Sequence, residues 1–428
     1  MSRRKEILVT AFALFSLFFG AGNLILPAQL GFKAGDLWWL VALGFALSAV
    51  VIPILGIIAH ARIQGTMFDF ANKVSPGFSL TYCFFVYAIS IGLPSPRTAS
   101  VTHEMAIAPM FNSSPWITSS IYFLLVFIFT LNRSKILDVI GKLMTPAIFI
   151  ILLAIIGVVV FAEPFVFEAS SIANPLSYAV VEGYQTFDAI GAVVVGGVII
   201  ISINLKNANA SYGDKKSLII KAGLISGLAL FLIYTGLLFS GALMGDTFPG
   251  DISRTDLLRN ISSIALGDAG KTVFAILVSL ACFTTAVGII TGTADFVKSR
   301  FSDSKHAYTL TAFIGSLLGV LMGQLEVSYI IAVALPALMF IYPITIVLIL
   351  LNVLPNKLAP SFVFKSVVVA TLVFSIPDFL GSIGYGNTLG AINNYIPFSE
   401  VSMGWILPAL LAFIIANVVG ALKPANEA

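Results

Sequence analysis

The sequence predicts an all-α integral membrane protein with about twelve transmembrane helices in one domain, residues 1–428. Hydrophobic residues make up 58% of the chain and charged residues 10%, a composition too apolar for a single water-soluble core. Apolar stretches of about 20 residues, the length a helix needs to cross roughly 30 Å of hydrocarbon, recur along the chain. These runs are continuous and not alternating, so they favour helices over a β-barrel.

The predicted membrane spans follow one another with short connections, and the fourth and ninth are the shortest. Numbered 1 to 12 in chain order, the spans cover approximately residues 7–31, 37–60, 78–104, 116–131, 136–161, 179–203, 217–243, 271–297, 307–323, 327–351, 362–380 and 402–422.

The distribution of positive charge predicts the orientation of these spans, because cytoplasmic loops retain Lys and Arg. With the N-terminus inside, 18 of the 23 Lys and Arg residues fall on the inner side, four on the outer side, and Arg97 within a span. The four tryptophans then lie at outer span ends, where amphipathic rings favour the interface. Both termini are therefore expected to be cytoplasmic, and the net charge of +3 reflects topology and indicates no nucleic-acid partner.

Spans 1–5 and 6–10 predict an inverted repeat, since an odd number of spans gives two halves of opposite orientation. The halves are about 7–161 and 179–351, and the additional helices occupy about 362–422. Equivalent spans 1 and 6 both carry glycine-marked weak points, FGAGN in the first and DAIGAVVVGG at 188–197 in the sixth. Paired interrupted helices of this kind point to a transporter site. The alternative is that the glycines only allow close helix packing.

A break in span 1 would leave the amides of Ala21, Gly22 and Asn23 at the positive end of a half-helix, which suits a carboxylate. In span 6 the first half-helix is expected to end near Phe187 and Asp188, where free carbonyls suit an ammonium group. The two breaks together predict a site for a zwitterionic amino acid.

Span 8 contains LACFTTAVGIITGT, which places Ala281, Thr284 and Thr285 on one helical face. Two adjacent hydroxyls near the middle of a span are compatible with a small hard cation, which prefers oxygen ligands. The alternative is that these hydroxyls bond the preceding turn of their own helix.

Four motifs in this order resemble those of the branched-chain amino acid:cation symporters, the LIVCS family, within the APC superfamily that shares the leucine-transporter fold. They are FFGAGNLILP in span 1, SPRTASVTHE at 95–104, GYQTFDAIGA at 183–192 and CFTTAVG at 282–288. The resemblance implies five-plus-five inverted repeats with discontinuous helices 1 and 6, and two further helices. It also implies sodium-driven uptake of leucine, isoleucine and valine across the bacterial cytoplasmic (inner) membrane.

The resemblance further implies the residues that bind the coupling ion, Na+. The expected ligands are the carbonyls of Ser16, Phe19 and Ala281 and the hydroxyls of Thr284 and Thr285. Asn23 matches an asparagine that can bind a second sodium in the wider fold. Asp188 stands where that fold can place a hydroxyl, so its partner is open between a cation, a proton and the substrate ammonium. The expected substrate-binding set is Ala21, Gly22, Asn23, Phe187, Asp188, Ile190 and Gly191, with Phe19 as a further apolar neighbour.

Two further charged residues lie in span 3. Arg97 and Glu104 are seven residues apart, about 10 Å along one face of a helix. This spacing predicts a structural pair or an outer gate in preference to direct contact with substrate.

The sequence argues against an enzyme, because no H-E-x-x-H motif occurs and no Ser-His-Asp set falls at one depth. A channel would not explain breaks matched to both ends of a zwitterion. The closer alternative is a cation-coupled symporter of the same fold for another neutral amino acid.

Overall fold

The computed structural model describes residues 2–132, 139–206, 209–386 and 395–422, with no side-chain description for residues 268 and 269. Three residues counted in the predicted charge asymmetry, Arg133, Lys135 and Lys423, lie outside the described residues.

Within these ranges the regular secondary structure is entirely helical. The α-helices are α1 (Arg3–Phe18), α2 (Ala21–Ala34), α3 (Trp38–Ala46), α4 (Ile52–Ile63), α5 (Met67–Ala71), α6 (Pro76–Gly92), α7 (Pro94–Thr102), α8 (Pro115–Leu131), α9 (Thr145–Ala162), α10 (Pro175–Glu182), α11 (Asp188–Lys206), α12 (Tyr212–Ala242), α13 (Arg254–Arg300), α14 (Lys305–Met322), α15 (Val327–Val353), α16 (Ser361–Ser382) and α17 (Ile406–Leu422).

Eight helical stretches among the described residues are long and apolar enough to cross a membrane. Two shorter apolar helices, α8 and α17, accompany them. The prediction of an all-helical membrane protein is therefore confirmed. Helices α1 and α2 pack against α12, while α10 packs against α3 and α11 against α4, so the first and sixth predicted spans lie in the interior.

The helix of span 1 is interrupted between α1 and α2, as predicted. Phe19 (φ −74°, ψ 89°) and Gly20 (φ −118°, ψ −158°) leave the helical conformation for two residues. A Cβ at Gly20 would lie 2.6 Å from the Thr285 hydroxyl oxygen, so α13 approaches the break too closely for any larger residue there.

The helix of span 6 is also interrupted, but not at its glycines. After α10 the chain forms a 3-10 turn at Gly183–Thr186, and Phe187 then takes a left-handed conformation (φ 63°, ψ 15°) before α11 begins. The expected end of the half-helix near Phe187 and Asp188 is confirmed. The glycine run at 188–197 lies wholly within α11, and a Cβ at Gly196 would overlap the His60 ring. Gly196 permits close packing on His60, and none of these glycines marks the break, so that part of the prediction was wrong.

Helices α2 and α12 meet through two glycines. A Cβ at Gly241 would lie 2.8 Å from the Ala28 carbonyl carbon, and a Cβ at Gly31 would lie 2.6 Å from the Leu238 carbonyl carbon. Because both obstacles are backbone atoms, an added methyl can be accommodated only if the helices separate.

We expect Gly241→Ala to lower the unfolding temperature of the detergent-solubilised protein by an amount corresponding to about 1–3 kcal/mol, because it overpacks this crossing. Gly157→Ala in α9 is the matched control, since a Cβ there meets no atom within 4 Å. Thermal unfolding followed by fluorescence-detected size exclusion measures both variants. Equal melting temperatures would contradict the close α2–α12 contact.

Candidate functional site

The two interrupted helices meet at a shared cavity. Asn23, in the first turn of α2, donates from Nδ2 to Asp188 Oδ2 at 2.6 Å, and Asp188 is the first residue of α11. The cavity lining includes Gly22, Asn23, Arg97, Phe187 and Asp188. Its volume is about 30 Å³, enough for one or two water molecules. The break of span 1 and the break of span 6 therefore form one site.

The positive end of α2 points into this site. The amides of Ala21, Gly22 and Asn23 are the first three of the helix, and they donate to no acceptor within the described part of the chain. The Gly20 amide donates to Asn23 Oδ1 at 3.4 Å, and Gly20 accepts in return from the Leu24 amide at 3.1 Å. The turn thus holds three buried amides ready for an anion.

Asp188 is buried, with 2% of its surface exposed, and side chains from two other helices hold it. Its Oδ2 accepts from Asn23 on α2 and from the Tyr234 hydroxyl on α12 at 3.2 Å. Tyr234 also contacts the Asn23 amide, so Asn23, Asp188 and Tyr234 form a closed triad. Both of these bonds engage Oδ2, so neither Asn23 nor Tyr234 occupies the second carboxylate oxygen, Oδ1, which can accept from a cationic ligand.

Arg97 reaches the site from α7. It is 3% exposed, its Nη1 donates to the Gln185 carbonyl at 2.9 Å, and its guanidinium lies 5.2 Å from the centre of the Phe187 ring. The Gln185 carbonyl belongs to the 3-10 turn that ends the first half of span 6, so this bond satisfies one of the groups exposed by the break.

The expected Arg97–Glu104 pair does not form. Glu104 Oε1 instead accepts from the Val327 amide at 2.9 Å and caps the start of α15. The physical reason is a π-turn at His103–Ile107, which includes Glu104 and breaks the α-helical spacing that would have kept the two side chains on one face. Glu104 therefore stabilises a helix end, and Arg97 belongs to the central site.

Four of the five residues expected to bind the coupling ion, Ser16, Ala281, Thr284 and Thr285, lie where α1 meets α13. Thr284 Oγ1 lies 2.9 Å from the Ser16 carbonyl, 3.0 Å from the Ala281 carbonyl and 2.9 Å from Ser16 Oγ. Thr285 Oγ1 lies 3.5 Å from the Leu17 carbonyl. Ser16 and Leu17 lie in the last turn of α1, so their carbonyls carry the negative end of the helix dipole. An all-oxygen set of carbonyls and hydroxyls fits a hard monovalent cation.

The apolar residues of the expected substrate set divide between the cavity and the core. Phe187, Ile190 and Gly191 line the cavity together with Val194 and Ile289. The Phe19 ring does not line it, because this ring stacks on Phe15 and Tyr234 with centroids 5.3 Å and 6.0 Å away. Phe19 contributes its backbone to the break and its side chain to the core, so its expected place beside the substrate is wrong.

An arginine bridge links α13 to α10 and to the 3-10 turn beside the site. Arg254, at the start of α13, donates to Gln185 Oε1 at 2.9 Å and pairs with Glu182 at 3.3 Å. A larger cavity of about 660 Å³, lined in part by Ile25, Glu104 and Arg254, lies beyond this bridge. Another cavity, of about 220 Å³, shares Val194 with the central one. Polar bonds thus lie between the central cavity and the larger one, and Val194 lies between the central cavity and the third.

Sequence reasoning missed Tyr234, Gln185 and Arg254, and it assigned Arg97 to another role. For Arg97 a signal existed, because an ionisable residue inside a span is a functional candidate by default. Tyr234 gave none, since a tyrosine in an apolar helix is more often part of the core.

A family profile described as branched-chain amino acid transport protein matches residues 3–423. The branched-chain amino acid transport system 2 carrier protein of Pseudomonas aeruginosa is 31% identical over 425 residues, which cover 96% of this chain and 95% of that protein. The branched-chain amino acid permease BraB of Bacillus subtilis is 30% identical over 442 residues, which cover 99% of this chain and 98% of that protein.

Among solved structures, the substrate-bound outward-open state of a Na+-coupled sialic acid symporter superposes with a TM-score of 0.63. Its sequence is 11% identical to this chain, and the match covers 99% of this chain and 91% of that one. At this identity the likeness shows a common fold and nothing about the solute.

We expect Arg254→Gln to open the outer side of the site. The reporter is Ser90→Cys in the central cavity, in a protein whose Cys83 and Cys282 are replaced by alanine. The measurement is the rate at which a membrane-impermeant thiol reagent labels this cysteine in whole cells. Arg254→Gln should raise that rate about three- to tenfold, because an ion pair and a hydrogen bond are lost. Arg259→Gln is the control, since Arg259 pairs, among the described residues, with Asp256 on its own helix. Identical labelling rates in the two variants would contradict a closing role for Arg254.

Proposed function

Because the chain belongs to the branched-chain amino acid transport protein family, we propose that it carries leucine, isoleucine and valine into the cell together with sodium by alternating access. Membership of this family makes the chain a multi-pass membrane transporter and not an enzyme. The observation that carries the finer proposal is the meeting of two interrupted helices at one buried cavity, with an N-terminal helix end and a buried carboxylate facing it.

The proposed architecture is one domain of twelve spans, with inverted repeats at about 7–161 and 179–351 and two further helices at about 362–422. The packing of the helices supports it. Span 1 (α1 and α2) packs on span 7 (α12), and span 6 (α10 and α11) packs on span 2 (α3 and α4). A two-fold relation that exchanges span 1 with span 6 and span 2 with span 7 converts one of these contacts into the other.

In the proposed binding mode the two ends of the amino acid meet opposite charges. The carboxylate accepts hydrogen bonds from the amides of Ala21, Gly22 and Asn23. The ammonium group donates to Asp188 Oδ1, whose partner oxygen is already fixed by Asn23 and Tyr234. The aliphatic side chain lies against Phe187, Ile190 and Gly191. Asn23 and Asp188 also remain the proposed ligands of a second cation.

The proposed sodium site lies at the other edge of the same break, formed by Ser16, Phe19, Ala281, Thr284 and Thr285. Phe19 and Gly20 alone separate the carbonyl end of α1 from the amide end of α2. An ion that draws the end of α1 onto α13 therefore also sets the position of the substrate amides. This proximity provides a physical route by which sodium binding and amino acid binding are coupled, because both ligands favour the same conformation of Phe19 and Gly20.

Transport requires the cavity to open and enlarge in each direction, since at about 30 Å³ it does not hold a leucine side chain. We assign the outer barrier to Arg254, Glu182 and Gln185, and the inner barrier to the apolar contact at Val194. We place the protein in the bacterial cytoplasmic membrane with both termini inside, in agreement with the distribution of Lys and Arg along the chain.

The small size of the cavity favours one alternative, a symporter of the same fold for a smaller neutral amino acid such as alanine. A smaller side chain would need less expansion around Ile190 and Gly191.

Proteoliposomes with the purified protein should accumulate radiolabelled leucine only under an inward sodium gradient. Isoleucine and valine should compete with this uptake, and alanine and lysine should compete weakly. Protein-free liposomes and dissipation of the gradient by a sodium ionophore are the controls. Stronger competition by alanine would select the alternative substrate, uptake independent of sodium would remove the coupling, and flux that does not saturate would indicate a channel.

The variant Thr284→Ala should raise the sodium concentration for half-maximal uptake roughly tenfold or more, because an oxygen ligand to the ion is lost. Thr293→Ala is the matched control on the same helix, where the hydroxyl donates to the Ile289 carbonyl of the preceding turn and to no other described residue. Unchanged sodium dependence in well-expressed Thr284→Ala protein would count against the assigned ion site.

A further inference from the structure

The central site contains a buried guanidinium, that of Arg97, which forms no ion pair with a carboxylate of the described residues. Among the described residues no acidic side chain lies within 4 Å of the Arg97 guanidinium. Asp188 lines the same cavity, but its Oδ2 is bound by Asn23 and Tyr234. A buried arginine without a partner carboxylate is energetically costly, so it indicates that an anion completes the site.

The unpartnered edge of the guanidinium faces the positive end of α2. Nη1 donates to the Gln185 carbonyl and the group lies over the Phe187 ring, but Nε has no hydrogen-bond partner in the part of the chain that the structure describes. A Cβ at Gly22 would lie 2.5 Å from Nη2, so the guanidinium stands directly beside the first turn of α2. A cation is unfavourable at a helix N-terminus, where an anion is stabilised. An anion between them would be stabilised by both.

We propose that Arg97 binds the carboxylate of the transported amino acid, together with the amides of α2. The assignment rests on the proposed function and adds a specificity-determining residue to its site. A guanidinium presents parallel N–H donors that match the two oxygens of a carboxylate. Arg97 and Asp188 then form a pair of opposite, mutually unbonded charges that matches a zwitterion.

This role has a consequence for the ions. The carboxylate receives its compensating positive charge from a fixed side chain, so no cation is needed beside it. The cation that drives transport is then the one between α1 and α13. A second cation at Asn23 and Asp188, the further possibility given above, is not required for leucine binding.

The competing role for Arg97 is structural. Arg97 holds the Gln185 carbonyl, and the Gln185 side chain holds Arg254, so Arg97 could act only through the outer closure. A structural residue would affect all ligands of the site alike, whereas a carboxylate-binding residue distinguishes ligands that carry a carboxylate from those that do not.

The test compares leucine with leucinamide, which keeps the amino group and the side chain but lacks the carboxylate. Binding to purified protein in saturating NaCl is measured by isothermal titration calorimetry. Wild-type protein should prefer leucine by roughly 10- to 100-fold. Arg97→Gln should bind leucine more weakly by the same 10- to 100-fold and keep its leucinamide affinity within about threefold. The ratio of the leucine affinity to the leucinamide affinity should then be close to one. Arg97→Lys, which keeps the positive charge but lacks the parallel N–H donors of the guanidinium, should retain part of the preference for leucine.

Arg254→Gln is the control that touches the same Gln185, and it should keep the leucine preference. Sodium-dependent thermal stabilisation of each variant verifies an intact fold and ion site. An unchanged leucine affinity in Arg97→Gln, or an equal loss for both ligands, would overturn the assignment while the proposed function stands. If Arg97→Gln does not fold, an undiminished preference in Arg97→Lys would overturn it instead. Failure of wild-type protein to bind leucine would overturn the proposed substrate and this assignment together.

Discussion

The structure depends on one constraint, the requirement that peptide groups inside the hydrocarbon layer find hydrogen-bond partners. Two helices that stop halfway leave such peptide groups without partners, and side chains from different parts of the fold form hydrogen bonds with most of them. Thr284 covers the end of α1, Arg97 covers the end of the 3-10 turn, and Asn23 covers the Gly20 amide. The amides of Ala21, Gly22 and Asn23 are the set that the described residues leave to a ligand. A buried polar centre follows from this constraint.

Much of this arrangement could be predicted from local patterns. The run of glycine and alanine before Asn23 located the break in span 1, because only small residues let α13 approach the backbone there. The hydroxyls of Thr284 and Thr285 fall on one face by helical spacing alone. The break in span 6 was placed correctly near Phe187, but its glycines were misinterpreted, because the left-handed turn is made by a phenylalanine, for which that conformation is rare.

The remainder depends on tertiary structure. The π-turn after Thr102 decides that Arg97 and Glu104 separate, and neither hydropathy nor spacing reveals a π-turn. Tyr234 acquires its role only because α12 packs on α2. Fold likeness does not supply the missing chemistry, since a symporter of sialic acid shares this architecture. The family gives the class of solute, and the charged residues of the cavity indicate how it is held.

Arg97 and Asp188 carry opposite charges in one cavity and form no ion pair with each other, and this affects the energetics of the transport cycle. The two cancel, and so do the two ends of a zwitterion, so loading the amino acid adds no net charge to the site and its passage does no electrical work. In the proposed scheme one accompanying sodium ion then moves one elementary charge down the membrane voltage, which supplies about 2.3 kcal/mol per 100 mV. That energy corresponds to a roughly 50-fold accumulation of solute. A bacterium's resting voltage would thus concentrate the nutrient even where sodium is equal on both sides.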